Sequence, residues 1–147
     1  MNFGWSKRKL DCGVQYLTAP TDVTCTTAGT WYKIGGVWEV HSCGVFSTDV
    51  NGKLTYNGGT QNCLHIGTFA LKVNKACLVS IGAYVNGTLH VSTDHTFNTQ
   101  NKIDSVATNK FIPTNKGDEL EIWCKSDTDA TTVTFSTLCA TTLGLNI

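Results

Sequence analysis

The sequence has few charged residues and no excess of either sign. Only 15% of its 147 residues are charged, below the roughly 25% of an ordinary globular domain, and its formal net charge is zero. Proteins that bind nucleic acid or an anionic membrane surface carry a basic patch. The basic run at residues 7–9 is too small to supply one. We therefore expect no nucleic-acid partner.

Long apolar runs are missing as well. No segment approaches the roughly 18 apolar residues that cross a bilayer. The positive residues near the start are not followed by the apolar stretch of a secretory signal. These absences predict a soluble protein that is made in a cytoplasm and has no membrane insertion.

Patterns that indicate catalysis or metal binding are also lacking. There is no G-x-S-x-G nucleophile elbow and no glycine-rich phosphate loop. Asp127 and Asp129 lie two residues apart in a polar turn, but the other acidic ligands of a calcium loop are missing. The four histidines are scattered, at His41, His65, His90 and His95. The sequence predicts no enzyme, no cofactor and no metal site.

Cysteine, by contrast, is abundant. The chain has seven cysteines, an odd number that cannot all pair within one chain, and none forms a C-x-x-C. Four lie within apolar strand-like runs, at Cys63, Cys77, Cys124 and Cys139. A thiol in such surroundings behaves as a small buried hydrophobe. For a cytoplasmic protein we predict reduced, structural cysteines in preference to a disulfide framework.

From residue 29 onward the chain consists of short β-patterned runs separated by turn residues. Asn51-Gly52 and Asn86-Gly87 are strong turn signals, because both central residues of a type I′ turn have positive φ. No segment has the period of a helix. The spacing predicts an all-β fold, an antiparallel β-sandwich.

Several connections follow from the same pattern. The runs 63–73 and 77–85 are predicted to pair as a hairpin through Asn74-Lys75. Residues 93–104 and 126–130 are polar and predicted to form a long loop and a turn. Residues 30–40, TWYKIGGVWEV, predict either a strand with a bulge or two strands meeting at a tight turn.

Strict alternation in residues 119–125 makes Trp123 a candidate for an interface. Leu120, Ile122 and Cys124 share one face of this run, so Trp123 points the other way with the glutamates. Either the N-terminal segment covers Trp123 or another subunit does, since buried aromatics concentrate binding energy at interfaces. Phe69 and Phe135, on neighbouring strand-like runs, are its predicted companions.

Residues 1–28 lack sustained periodicity and are predicted to be an N-terminal arm, with the β-sandwich domain at 29–147. The aromatic side chains of Phe3, Trp5 and Tyr16 are costly to leave in water. The segment therefore either crosses the domain as a strand or docks on another molecule.

The order of these motifs resembles the trimeric jelly-roll domains of the tumour necrosis factor and complement globular head superfamily, as found on virus and phage particles. The resemblance covers residues 29–147, from WYKI and NGKLTYNGG through CLHIGTFALKV and CLVSIGAYVNGT. It continues through FIPTNKGDELEIWCKSDTDATTVTFSTLCATTL. Two turns carry the resemblance: Asn86-Gly87, which follows a strand, and Gly117-Asp118, which precedes a hydrophobic strand. The cysteine content departs from the pattern.

The resemblance implies a jelly-roll homotrimer. It places runs 63–73, 119–125 and 131–141 in the sheet that faces the three-fold axis, with Phe69, Trp123 and Phe135 in the trimer interface.

The resemblance also implies a non-enzymatic virion structural protein: a capsid decoration, head-fibre or tail-fibre component of a virus or bacteriophage. The arm would attach it to a capsid or tail protein, through the candidates Phe3, Trp5, Lys7, Arg8 and Lys9. The alternative is a module for host attachment that binds a surface receptor or glycan through loops 93–104 and 126–130.

Overall fold

The computed structural model describes residues 10–100 and 103–145. Its strands are β1 (Leu10–Tyr16), β2 (Thr21–Cys25), β3 (Tyr32–Lys33), β4 (His41–Cys43), β5 (Phe46–Thr48), β6 (Leu54–Tyr56), β7 (Gln61–Val73), β8 (Cys77–Val85), β9 (Thr88–Phe97), β10 (Asp104–Thr114), β11 (Glu119–Ser126) and β12 (Thr131–Leu145). No helix occurs within these ranges.

The strands form two antiparallel sheets that pack face to face. The five-stranded sheet has the order β1-β12-β7-β10, with β2 also paired to β12. The seven-stranded sheet has the order β4-β5-β6-β11-β8-β9, with β3 also paired to β11. The predicted all-β antiparallel sandwich is confirmed.

The core lies between the sheets and follows the alternation of the strands. Leu120, Ile122 and Cys124 of β11 are no more than 3% exposed, as predicted, and the residues between them are half-buried. From the other sheet, Leu71 and Phe135 are fully buried in the same interior. Each sheet thus contributes every second residue to the core.

Strand β12 contains a bulge that changes which of its residues face the core. Phe135 is fully buried before the bulge, and Leu138 and Ala140 are buried after it. The register against β7 shifts between Phe135 and Thr137. One extra residue inserted at this point moves the inward positions from odd to even numbers.

The predicted hairpin of residues 63–73 and 77–85 is wrong. Strand β7 belongs to the five-stranded sheet and β8 to the seven-stranded sheet, so the chain crosses between sheets at residues 74–76. Leu71 and Val79 belong to one core cluster instead of one ladder. Alternation identifies the apolar face of each strand, but it does not say which strand covers that face.

Two other local predictions also need correction. The predicted loop at 93–104 begins as strand, because β9 continues to Phe97, which is buried opposite Cys77. In residues 30–40, only Tyr32–Lys33 pairs as a strand, and Trp38 forms an isolated bridge with Leu17. This segment is therefore neither a bulged strand nor a tight two-strand turn.

The predicted boundary between arm and domain is also corrected. Strands β1 and β2 both pair with β12, so residues 10–25 are part of the five-stranded sheet. Gln15 is fully buried there, and its side-chain amide donates to the carbonyl oxygens of Gly52 at 2.6 Å and Leu120 at 3.2 Å. The sandwich therefore includes Leu10 and does not begin at Gly29.

Both predicted Asn-Gly turns are present, but only Asn86-Gly87 is a type I′ turn, because in Asn51-Gly52 the glycine alone has a positive φ. Asn86 and Gly87 have φ of 51° and 79°, as a type I′ turn requires. In the other turn, the Asp49 carboxylate accepts the backbone N–H groups of Asn51 and Lys53, each at 2.9 Å. Gly52 completes this turn with φ of 77°.

Gly52 and Gly87 provide a matched test of packing against backbone strain. Alanine costs about 1–2 kcal/mol at either position because both have left-handed backbones. At Gly52 the new Cβ would also overlap the buried indole of Trp38, whereas nothing lies near Gly87. We expect Gly52→Ala to lower the free energy of unfolding by a further 1–3 kcal/mol or so relative to Gly87→Ala, measured by urea titration. Equal losses would mean that the Trp38 contact is unimportant.

Candidate interaction surface

The described residues show no assembled metal site. Within 10–100 and 103–145, no cluster of three or more His, Cys, Asp or Glu side chains is placed to hold a metal ion. The same part of the chain contains no helix long and apolar enough to cross a membrane.

His65 is the histidine most enclosed by the fold, and its surroundings are those of a structural residue. It is 3% exposed, and its Nδ1 lies 3.0 Å from Thr142 Oγ1. Burial lowers the pKa of His65 to about 4, so the ring is neutral at pH 7. The cavity beside it, also lined by Phe69 and Lys110, has a volume of about 10 Å³. That is room for about one water molecule, not for a substrate.

Two of the three predicted interface residues lie inside the core. Phe69 is 2% exposed and Phe135 is fully buried, both in the cluster between the sheets. They occupy inward positions of β7 and β12, so the seven-stranded sheet already covers them. Their assignment to a trimer interface is therefore corrected.

Trp123 lies on the outer face of the other sheet, because β11 pairs with β8 and not with β7 or β12. Its ring stacks on Tyr84, with centroids 4.6 Å apart and an angle of 25° between planes. Trp31 meets Tyr84 edge-on at 5.8 Å, and the Lys125 ammonium lies 4.9 Å from the centre of the Trp31 ring. Trp123 is thus packed against Tyr84 of its own chain, on the sheet opposite to β7 and β12.

The outer face of the five-stranded sheet is the surface that the sequence analysis missed. The register brings together outward residues of β1, β12, β7 and β10, none of them charged. We call this the uncharged face: Val14, Tyr16, Leu64, Ile66, Thr68, Ala107, Asn109, Phe111, Cys139, Thr141 and Leu143. Charge returns at one end of the sheet, where Lys72 and Asp22 flank Thr134 in the register.

The uncharged face exposes large apolar side chains. Phe111 is 64% exposed and Tyr16 is 41% exposed, while Leu64 and Ile66 are half-buried. A signal for this face exists in β7, whose central residues, CLHIGTFAL, carry no carboxylate, lysine or arginine. A strand that is apolar on both faces is typical of burial on both faces.

No family model matches the sequence, and no curated protein matches it. Among solved structures, the Eiger TNF of S. frugiperda superposes with a TM-score of 0.62, covering 93% of this chain and 95% of that chain at 7% identity. The fold is a TNF-like jelly roll. At such low identity the likeness shows the fold alone, and it confirms the predicted jelly-roll topology.

A structure of dimeric latent PorU from Porphyromonas gingivalis also matches. It covers 89% of this chain and 13% of that chain, with 13% identity and a TM-score of 0.45. A likeness this weak carries no argument about function.

The remaining predicted site residues cannot be placed on this fold. Phe3, Trp5, Lys7, Arg8 and Lys9 lie outside the described residues.

The burial of His65 predicts a loss of stability in acid. The unfolded chain takes up a proton near the ordinary pKa of about 6.5, whereas the folded chain takes it up only near 4. Stability is therefore complete above about pH 6.5 and falls as the pH drops towards 4, by about 3 kcal/mol. Urea titrations between pH 7.5 and 4 should show this loss in the native protein and not in His65→Gln. The exposed His90→Gln is the control, and a pH profile unchanged in His65→Gln would contradict the assignment.

Proposed function

We propose that this chain is a non-enzymatic structural protein that forms a homotrimer through its uncharged face, and that it is a component of a virus particle. The uncharged face is the observation that supports the proposed homotrimer. The virion role rests on the resemblance of the sequence motifs to jelly rolls borne by virus and phage particles. In that role the protein is a capsid decoration, head-fibre or tail-fibre component.

A second copy of the chain is the occupant that best fits the uncharged face. Contiguous exposed apolar surface marks interaction sites. Covering Phe111, Tyr16, Leu64 and Ile66 would remove apolar area from water at roughly 25 cal/mol per Å². Because the formal net charge is zero, long-range repulsion between copies is small. The absence of charge on the face means that no ionised group has to be desolvated when copies meet.

A ring of three copies needs two different patches, since each interface joins one patch to a non-identical patch on the next copy. A second apolar patch borders the uncharged face at the β1 edge. The Glu39 N–H donates to the Tyr16 carbonyl at 2.8 Å, and the Trp38 N–H donates to the Val50 carbonyl at 3.2 Å. The valines there, each more than half exposed, are Val37, Val40 and Val50. We infer that this edge contacts the uncharged face of the next copy.

Recognition of a host receptor or glycan is the second candidate, and the placement of the loops favours it. The Asp127 carboxylate accepts the Leu78 N–H at 2.9 Å, and Lys75 Nζ donates to the Asp129 carbonyl at 2.9 Å. Cys77 pairs with Phe97, directly before residues 98–100. The connections after β7, β9 and β11 therefore cluster at one end of the sandwich, where a trimer could present them together.

Phe111→Asp tests the trimer directly. Because Phe111 is 64% exposed in the single chain, the substitution should leave the monomer folded and convert a trimer into monomers. Light scattering after size-exclusion chromatography should give three times the 15.9-kDa chain mass for the native protein and the chain mass for the variant. Leu89→Asp, at a residue 38% exposed on the other sheet, should stay trimeric. A monomeric native protein at micromolar concentration would refute the proposal.

Two variants separate particle attachment from host recognition. A chain starting at Leu10 keeps β1 and should stay trimeric but no longer co-sediment with virus particles stripped of this protein. Replacing Asp127 and Thr128 by glycine should leave sedimentation unchanged. If the native trimer binds a glycan array and the loop variant does not, the loop recognises a host glycan and the second candidate function is supported. Full sedimentation of the chain lacking residues 1–9 would exclude the arm as the anchor.

A further inference from the structure

Two thiols from different sheets meet at one edge of the sandwich. Cys12 lies in β1, the edge strand of the five-stranded sheet, and Cys43 ends β4, the edge strand of the seven-stranded sheet. Their sulfur atoms are 3.9 Å apart, and both residues are only partly buried. The two side chains are therefore in contact with each other and within reach of a small reagent.

The local backbone favours closing this contact into a bond. A disulfide has an S–S length of about 2.05 Å, so the sulfurs must approach by roughly 1.9 Å. Strand β4 has three residues and pairs on one side with β5. Gly44, with φ of 57°, follows Cys43 in the turn. Cys43 is thus held by a short strand at the edge of its sheet.

A second inter-sheet thiol pair provides a contrast within the same molecule. Cys25 of β2 and Cys124 of β11 belong to the same core cluster, and both are fully buried. Reaction of this pair would require a dissolved disulfide to enter the closed core. Accessibility therefore separates the two pairs: the edge pair can react and the core pair is protected.

We propose that Cys12 and Cys43 form a disulfide site that closes by exchange with a small disulfide such as oxidised glutathione. One thiolate attacks the glutathione disulfide and releases one glutathione. The second thiolate then attacks the mixed disulfide and releases the other. The two cysteine protons pass to the two glutathione thiolates, so two thiols are oxidised and one disulfide is reduced. The bond would join the sheets at this edge.

This proposal does not rest on the trimer or the virion role, although Cys12 lies opposite Leu143 at the border of the uncharged face. In a reducing cytoplasm the thiols stay reduced, as the sequence analysis predicts, and the bond forms once the protein meets an oxidising environment. It links residues 31 apart in sequence, which restricts the unfolded chain and stabilises the folded one.

The test is oxidation of the reduced native protein in a glutathione buffer, followed by alkylation, trypsin digestion and mass spectrometry. The expected product joins the peptide containing Cys12 to the peptide containing Cys43, within one chain. The melting temperature of the oxidised protein should be about 10 °C above that of the reduced protein, and dithiothreitol should restore the lower value. Cys12→Ser and Cys43→Ser should each lose the rise. Cys139→Ser, which removes another partly buried thiol, should keep it.

Cys25 shares the tryptic peptide of Cys12, so Cys12→Ser should abolish the link between this peptide and that of Cys43, whereas Cys25→Ser should retain it. Circular dichroism of the reduced variants shows whether each one folds. If a serine variant does not fold, a second digest of the oxidised native protein with a protease that cuts before Asp22 separates Cys12 from Cys25 and shows which of them is linked to Cys43. Glutathione adducts without an internal bond, a bond between other cysteines, or a covalent dimer on a non-reducing gel would each overturn the proposal.

Discussion

The bulge in β12 determines what both faces of the five-stranded sheet present. Because side chains alternate, a register different by one residue would place Cys139 and Thr141 in the core and Leu138 and Ala140 outside. Strand β12 is hydrogen-bonded to β7 on one edge and to β1 and β2 on the other. Its register therefore also fixes the positions of those strands, and the uncharged face is a product of the same bulge that completes the core.

The two sheets cover their outer faces in different ways. On the seven-stranded sheet, Trp31 lies over Gly82 and meets Tyr84, which in turn stacks on Trp123. That sheet buries aromatic surface with residues of its own chain. The described part of the five-stranded sheet has no comparable cover over Phe111 or Ile66. Because of this asymmetry, contact with another molecule would remove more apolar surface from water at the five-stranded sheet than at the seven-stranded sheet.

The strands were predictable where alternation or turn chemistry is strong, as in Leu120–Ile122–Cys124 and in the Asn-Gly turns. The pairing of strands was not predictable, because alternation shows which face of a strand is apolar but not which strand lies beside it or against it. Phe69 and Trp123 illustrate the difficulty: both lie in strands with alternating burial, yet Phe69 faces the core and Trp123 lies on the outer face of the opposite sheet. The uncharged face joins residues from four strands, so no local pattern could reveal it before the register was known.

The pairing of β1 with β12 also has a consequence for synthesis. Leu10 is opposite Leu145, so the first and last described strands are neighbours. While the ribosome is still making β11, the five-stranded sheet lacks the strand that joins β1 and β2 to β7. Until then the edges of β1, β2 and β7 that pair with β12 have no hydrogen-bond partners, which favours slow folding and aggregation. The nascent chain therefore reaches its fold only after β12 has emerged, and protection by a chaperone is most valuable during that delay.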